Sequence, residues 1–148
     1  MVLKLFKAVW FISLCAVMLN LLYTYASLPE VVAFEEVSSG VVVARDGLFY
    51  GVLLAVAMVN VLSFIMKKFY SSGEDFNTWL HGLIISLNIF FIVSISFIGL
   101  YNSGERFDYN RLGPLIFGSL ILIVIWAASW PSYQLWRRLT DKAIVGNK

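Results

Sequence analysis

A single cysteine, Cys15, and a single histidine, His81, stand in 148 residues, of which only 14% are charged. One thiol cannot close a disulfide within the chain or form a dithiol redox centre, so a disulfide framework and a self-contained thiol oxidoreductase are excluded. One imidazole cannot supply both axial ligands of a bis-histidine haem, and with Cys15 it falls short of the three or four ligands of a zinc site. Neither a metal nor another cofactor is expected. The net charge is +2, and no Lys/Arg cluster is long enough to follow a phosphate backbone, so nucleic acid is not an expected partner. Low charge with high apolar content also excludes disorder. With three prolines in the whole chain, little interrupts long helices.

What is present is apolar: 60% hydrophobic and 16% aromatic residues, with a mean hydropathy of +0.83. Soluble domains hold about 45–50% apolar and about 25% charged residues, so the composition is that of a membrane protein. Four stretches, residues 5–25, 48–66, 79–101 and 112–136, reach the roughly 20 apolar residues that a helix needs to cross a bilayer core. None alternates apolar with polar as a barrel strand does. The expected fold is therefore an all-α membrane protein, a four-transmembrane-helix antiparallel bundle forming one domain over residues 1–148, with consecutive helices as neighbours. Lys4 and Lys7 before the first stretch resemble a secretory n-region, but the apolar run exceeds a signal core and residues 23–27 make a poor cleavage site, so a retained anchor is expected.

Basic residues are retained on the cytoplasmic face during insertion. Lys4, Lys7, Lys67, Lys68, Arg137, Arg138, Lys142 and Lys148 fall on one side of the four stretches, and Arg45, Arg106 and Arg111 on the other. Acidic residues divide the opposite way, with Glu30, Glu35, Glu36, Asp46, Glu105 and Asp108 outside and Glu74, Asp75 and Asp141 inside. The sides carry net −3 and +5, which predicts both termini in the cytoplasm, and the total length and short loops look like those of a bacterial inner-membrane protein. Tyr23, Tyr25, Tyr50, Trp79, Tyr101, Tyr133 and Trp136 lie near the predicted ends, where amphipathic rings favour the headgroup zone.

The longest connection, residues 27–47, is too apolar for a solvated tether. Ser38-Ser39-Gly40 between two β-branched runs suits an outer-face hairpin, while Glu30, Glu35 and Glu36 also suit a short amphipathic segment on the membrane. The loop is either a lid on the bundle or a docking surface for a partner through Phe34, Val37 and Val41, with strand addition as one mode. The loop's start, Leu28-Pro29 followed by Val32, Phe34 and Gly40, resembles the first outer loop of the SdpI-like family of bacterial membrane proteins, which act in toxin immunity and signalling. The match spans residues 28–40 and departs from the family at Ala33 and Glu35, where proline and histidine are usual, so no functional residue carries over.

Intramembrane ionisable residues mark ion paths and substrate sites, and this chain has none near the centre of a stretch. A small multidrug antiporter would need an intramembrane carboxylate. What remains is neutral: Asn20, Asn60 and Asn88, with small residues. At about 100° per residue, His81, Asn88 and Gly99 share one face of the third helix, and Gly82 and Ser86 lie nearly opposite. Ser13, Ala16, Asn20 and Thr24 form a stripe on the first helix, and Gly51 with Ala55 offers the second a small-xxx-small contact. Asn20, Asn60, Asn88, His81 and Ser86 are thus expected to make helix–helix or ligand contacts, with Asn60 and Asn88 at depths where they can meet. Pro131 is expected to kink the fourth helix.

These features point to a non-catalytic inner-membrane subunit or accessory protein of a larger assembly, such as a secretion, motility, transport or respiratory complex. Its expected partners are the lipid bilayer and other integral membrane proteins or further copies of itself. The alternative is a small transporter or a lipid- or apolar-ligand-binding protein with a site between helices 2 and 3. An interfacial enzyme using His81 with Glu74 or Asp75 is a third reading, with little else to build on.

Overall fold

The computed structural model describes residues 1–34, 42–69, 73–104 and 112–145. Four helices dominate: α1 (Val2–Ser27), α2 (Arg45–Phe69), α3 (Glu74–Tyr101) and α4 (Gly113–Val145), with two short strands, β1 (Val31–Ala33) and β2 (Val42–Ala44), between α1 and α2. All four helices are long and apolar enough to cross a membrane.

Most helix ends overrun the apolar stretches, because each added residue closes another backbone hydrogen bond at no new nucleation cost. Charges assist at these ends. Asp46 lies in the first turn of α2 and Lys67 and Lys68 in its last, while Glu74 and Asp75 open α3, each with the sign that the helix macrodipole favours. Pro114 sits in the first turn of α4, where its missing N–H breaks no helical bond. Pro131, expected to bend the helix, lies within a single continuous helix to Val145. Beside it Ser129 Oγ donates to the Trp126 carbonyl and Ser132 Oγ to that of Ala128.

Successive helices alternate in direction, as cross-contacts show: Tyr25 meets Asp46 where α1 ends and α2 begins, Lys67 meets His81 at the other end, and Trp79 meets Trp126 across α3 and α4. Consecutive helices contact one another to different extents. The most extensive contact joins α1 to α3, which run parallel, and α3 is the hub that also carries α4 and α2. Polar and small positions of α1 meet those of α3 there: Asn20 meets Ser96, Ser13 meets Asn88 and Thr24 meets Gly99. The small-xxx-small contact expected at Gly51 is not formed within the chain, since a Cβ there would meet nothing within 4 Å.

Apolar packing falls into two clusters. Val17, Leu21, Val56 and Ile95 gather in one, and Phe76, Leu80 and Ile84 in the other, with Trp10, Val59, Trp79 and Trp130 packed on the second. Most of the remaining apolar surface, including nearly all of α4, faces outward, as is required of helices whose solvent is hydrocarbon.

The strands pair antiparallel, Val32 opposite Val43, and Arg45 N–H extends the ladder to the Glu30 carbonyl at 2.9 Å. Asn102, at the end of α3, binds the outward side of Ala33 as a third strand would: Ala33 N–H donates to Asn102 Oδ1 at 2.9 Å and Nδ2 donates to the Ala33 carbonyl at 3.1 Å. Strand addition at Ala33 is therefore closed. The residues linking β1 to β2, with Val37 and Val41 of the expected docking surface, lie outside the described residues, while Phe34 is 42% exposed.

Candidate functional site

A seam of polar contacts runs the length of α1 and α3. Asn20 Nδ2 donates to the Ile92 carbonyl at 3.0 Å and lies 3.1 Å from Ser96 Oγ. Halfway along, Asn88, fully buried, donates through Nδ2 to Ser13 Oγ at 2.9 Å, and Ser13 Oγ in turn donates to the Trp10 carbonyl. Asn88 Oδ1 is buried without a hydrogen-bond partner. One turn beyond Asn20, at the C-terminal end of α1, Gly99 leaves only 3.0 Å between an added Cβ and Thr24 Cγ2, so the backbones approach closely there.

The seam widens where α2 joins it. Trp10 Nε1 donates to Asn60 Oδ1 at 2.9 Å, and Asn60 Nδ2 donates to the Val56 carbonyl. His81, only 1% exposed, sits edge-on to Trp10, and Lys67 Nζ lies 3.0 Å from His81 Nε2. An ammonium only donates, so His81 Nε2 accepts; the ring proton is then on Nδ1, which donates to the Asn77 carbonyl. Lys67 also lies over the Trp10 ring, 5.7 Å from its centroid, a cation–π geometry. Both nitrogens of His81 are thus occupied by structural partners, Lys67 and the Asn77 carbonyl, and neither is Glu74 or Asp75.

Asn60 and Asn88 do not meet. Each is bound to α1, through Trp10 and Ser13 respectively, so α1 supplies the partner that the sequence suggested they find in one another. Asn20 is likewise held by α3. Ser86 donates to the Gly82 carbonyl of its own helix, 3.0 Å away.

The opposite face of α3, marked by Gly82 and Ser86, packs against α4. An added Cβ on Gly82 would stand 2.1 Å from Trp126 Cζ2, so only glycine admits the indole. The two indoles then lock reciprocally: Trp79 Nε1 donates to the Trp126 carbonyl and Trp126 Nε1 to the Trp79 carbonyl, each at 2.8 Å. Phe76 and Trp130 meet edge-on at 5.2 Å, and Trp130 continues the aromatic wall to Tyr133. Because α1 and α4 both pack on α3 but barely on one another, a cleft opens between them. Its mouth, about 550 Å³, is lined by Phe6, Glu74, Asp75, Trp79, Trp130 and Tyr133 among others. A groove of about 350 Å³ continues along Gly82, Ser86 and Ile89 between Val9 and Leu122.

Of the aromatic residues of this cleft, Trp79 and Tyr133 were visible in the sequence only as boundary markers. The spacing of Trp126 and Trp130, four residues apart on one helix face, was the signal that could have joined them to Trp79. Among the described residues no group of three or more His, Cys, Asp or Glu is placed to hold a metal ion. No protein-family model, curated protein or solved structure matches the chain.

Proposed function

We propose that the chain is a non-catalytic membrane-spanning subunit or accessory protein of a larger membrane assembly, set in a bacterial inner membrane with both termini in the cytoplasm. The observation that carries this reading is the commitment of Asn20, Asn60, Asn88 and His81 to bonds between or within helices. Polar groups spent on packing leave no chemical constellation in the hydrocarbon zone among the described residues. Gly51 and Gly118 support association, because each offers a close-approach position with open space beyond it. The sidedness of Lys and Arg supports the orientation. Extraction in several mild detergents followed by native mass measurement tests it: a complex of fixed stoichiometry is expected, and a monomer in every detergent overturns the reading.

A second reading, a lipid- or apolar-ligand-binding protein, is favoured by the cleft. Its site then lies between α1, α3 and α4 rather than between helices 2 and 3, since Asn60 and Asn88 bond to Trp10 and Ser13 of α1 and not to one another.

A further inference from the structure

The cleft changes chemistry along one path. Its mouth combines aromatic rings with two carboxylates, Glu74 and Asp75, while the groove beneath is apolar, and Phe6 and Trp126 belong to both. The macrodipole of α3 accounts for acidic residues in its first turn. It does not account for the facing wall of Trp130 and Tyr133 or for the groove that leads down from them. Ring faces and carboxylates both favour a cation, and among the described residues neither Glu74 nor Asp75 is in an ion pair. Trp and Tyr side chains belong to the headgroup depth of a bilayer. From Glu74 to Ile89, α3 rises roughly 20 Å, so a ligand filling the cleft has its charge at the interface and an apolar chain reaching toward mid-membrane. Leu5 and Leu122 on the groove walls are exposed, which leaves the groove open to surrounding hydrocarbon.

Resting on the second reading above, the geometry points to one phospholipid with a primary-ammonium headgroup as the occupant of the cleft. Its ammonium lies between Glu74, Asp75 and the aromatic wall, and one acyl chain follows Gly82, Ser86 and Ile89. The carboxylates select a primary ammonium over a choline headgroup because they accept N–H hydrogen bonds, which a quaternary nitrogen cannot donate.

The full chain, reconstituted in nanodiscs of equal ethanolamine, choline and glycerol phospholipids and released for native mass spectrometry, tests this. One ethanolamine lipid is expected to remain bound in preference to the other two. Replacing both carboxylates, Glu74→Gln with Asp75→Asn, is expected to lower that preference about tenfold, the effect of one lost charge-assisted hydrogen bond. Val9→Trp, at an exposed position on the groove wall, is expected to exclude lipids of every headgroup. Equal retention of the three lipids, or an unchanged preference in the carboxylate variant, overturns the headgroup assignment. If Val9→Trp still removes that lipid, the lipid-binding reading stands; if no lipid is retained by the unmodified protein, both fall.

Discussion

Asn88 holds a primary amide in the middle of a membrane helix with one end bonded to Ser13 and the other unpaired. The two ends oppose one another energetically. Losing the bond to Ser13 destabilises, while removing the orphan oxygen relieves a buried acceptor that has no partner. Interhelical hydrogen bonds in membranes average about 0.6 kcal/mol by double-mutant cycles. A cycle of Asn88→Ala with Ser13→Ala, followed by reversible unfolding in mixed micelles, is expected to give a coupling near that value; zero coupling would reduce the seam to packing alone. Gly82 is a sharper case. Gly82→Ala puts a methyl inside the Trp126 indole and breaks the reciprocal bonds with Trp79, so a loss of about 1–3 kcal/mol is expected from overpacking, with altered Trp emission. Gly51→Ala, in open space, is expected to stay within about 0.5 kcal/mol in the same assay. The polar stripes were legible because a helix repeats every 3.6 residues, whereas their partners were not. Periodicity fixes which residues share a face, but not which helix that face meets.

At the scale of elements, α4 differs from the rest because it is fastened along one face to α3, chiefly through Trp79, Trp126 and Trp130. Most of its other surface is exposed. Local stability follows buried contact, so α4 should open at lower free energy than the α1–α3 pair. Trp126→Ala is expected to increase cleavage within α4 in pulse proteolysis several-fold while α1 and α3 remain protected; uniform loss across all four helices would show that the bundle unfolds as one unit. The strand pair has its own fastening. Asn102→Leu keeps the size of the side chain but removes both bonds to Ala33, and faster amide exchange at Ala33 is the expected result. Apolar length made the four helices visible, since nothing else accommodates 20 apolar residues in a row. Their ends were less visible: Lys67, Lys68, Glu74 and Asp75 read as loop residues by polarity, yet they suit the helix termini electrostatically. The cleft was hidden for a different reason. It exists because α1 and α4 meet little beyond the Phe6–Trp126 ring contact, and contacts that are not made leave no pattern in either helix.

For the whole molecule, alternating helix direction places the start of α1, the end of α2, the start of α3 and the far part of α4 at one end of the bundle. The acidic cleft mouth and the Lys67–His81 contact share that end, on different faces of α3. The sidedness of the chain follows from charge: Lys4, Lys7, Lys67, Lys68, Arg137 and Arg138 lie toward this end, and Arg45, beside Asp46, is among the few basic residues at the other. Under the orientation proposed above, in which retained Lys and Arg set the sidedness, this end faces the cytoplasm. In a Cys15→Ala background, Ser39→Cys is expected to react with a membrane-impermeant maleimide in intact cells. Ser71→Cys is expected to react only after the membrane is opened. Moving the bias tests its cause: replacing Lys67 and Lys68 with Gln and adding two lysines beside Ser39 reduces the asymmetry at the first two connections and should yield a mixed population labelled at either site. A reversed pattern in the unmodified background would place the cleft mouth, and any amine headgroup it holds, in the outer leaflet instead of the inner one.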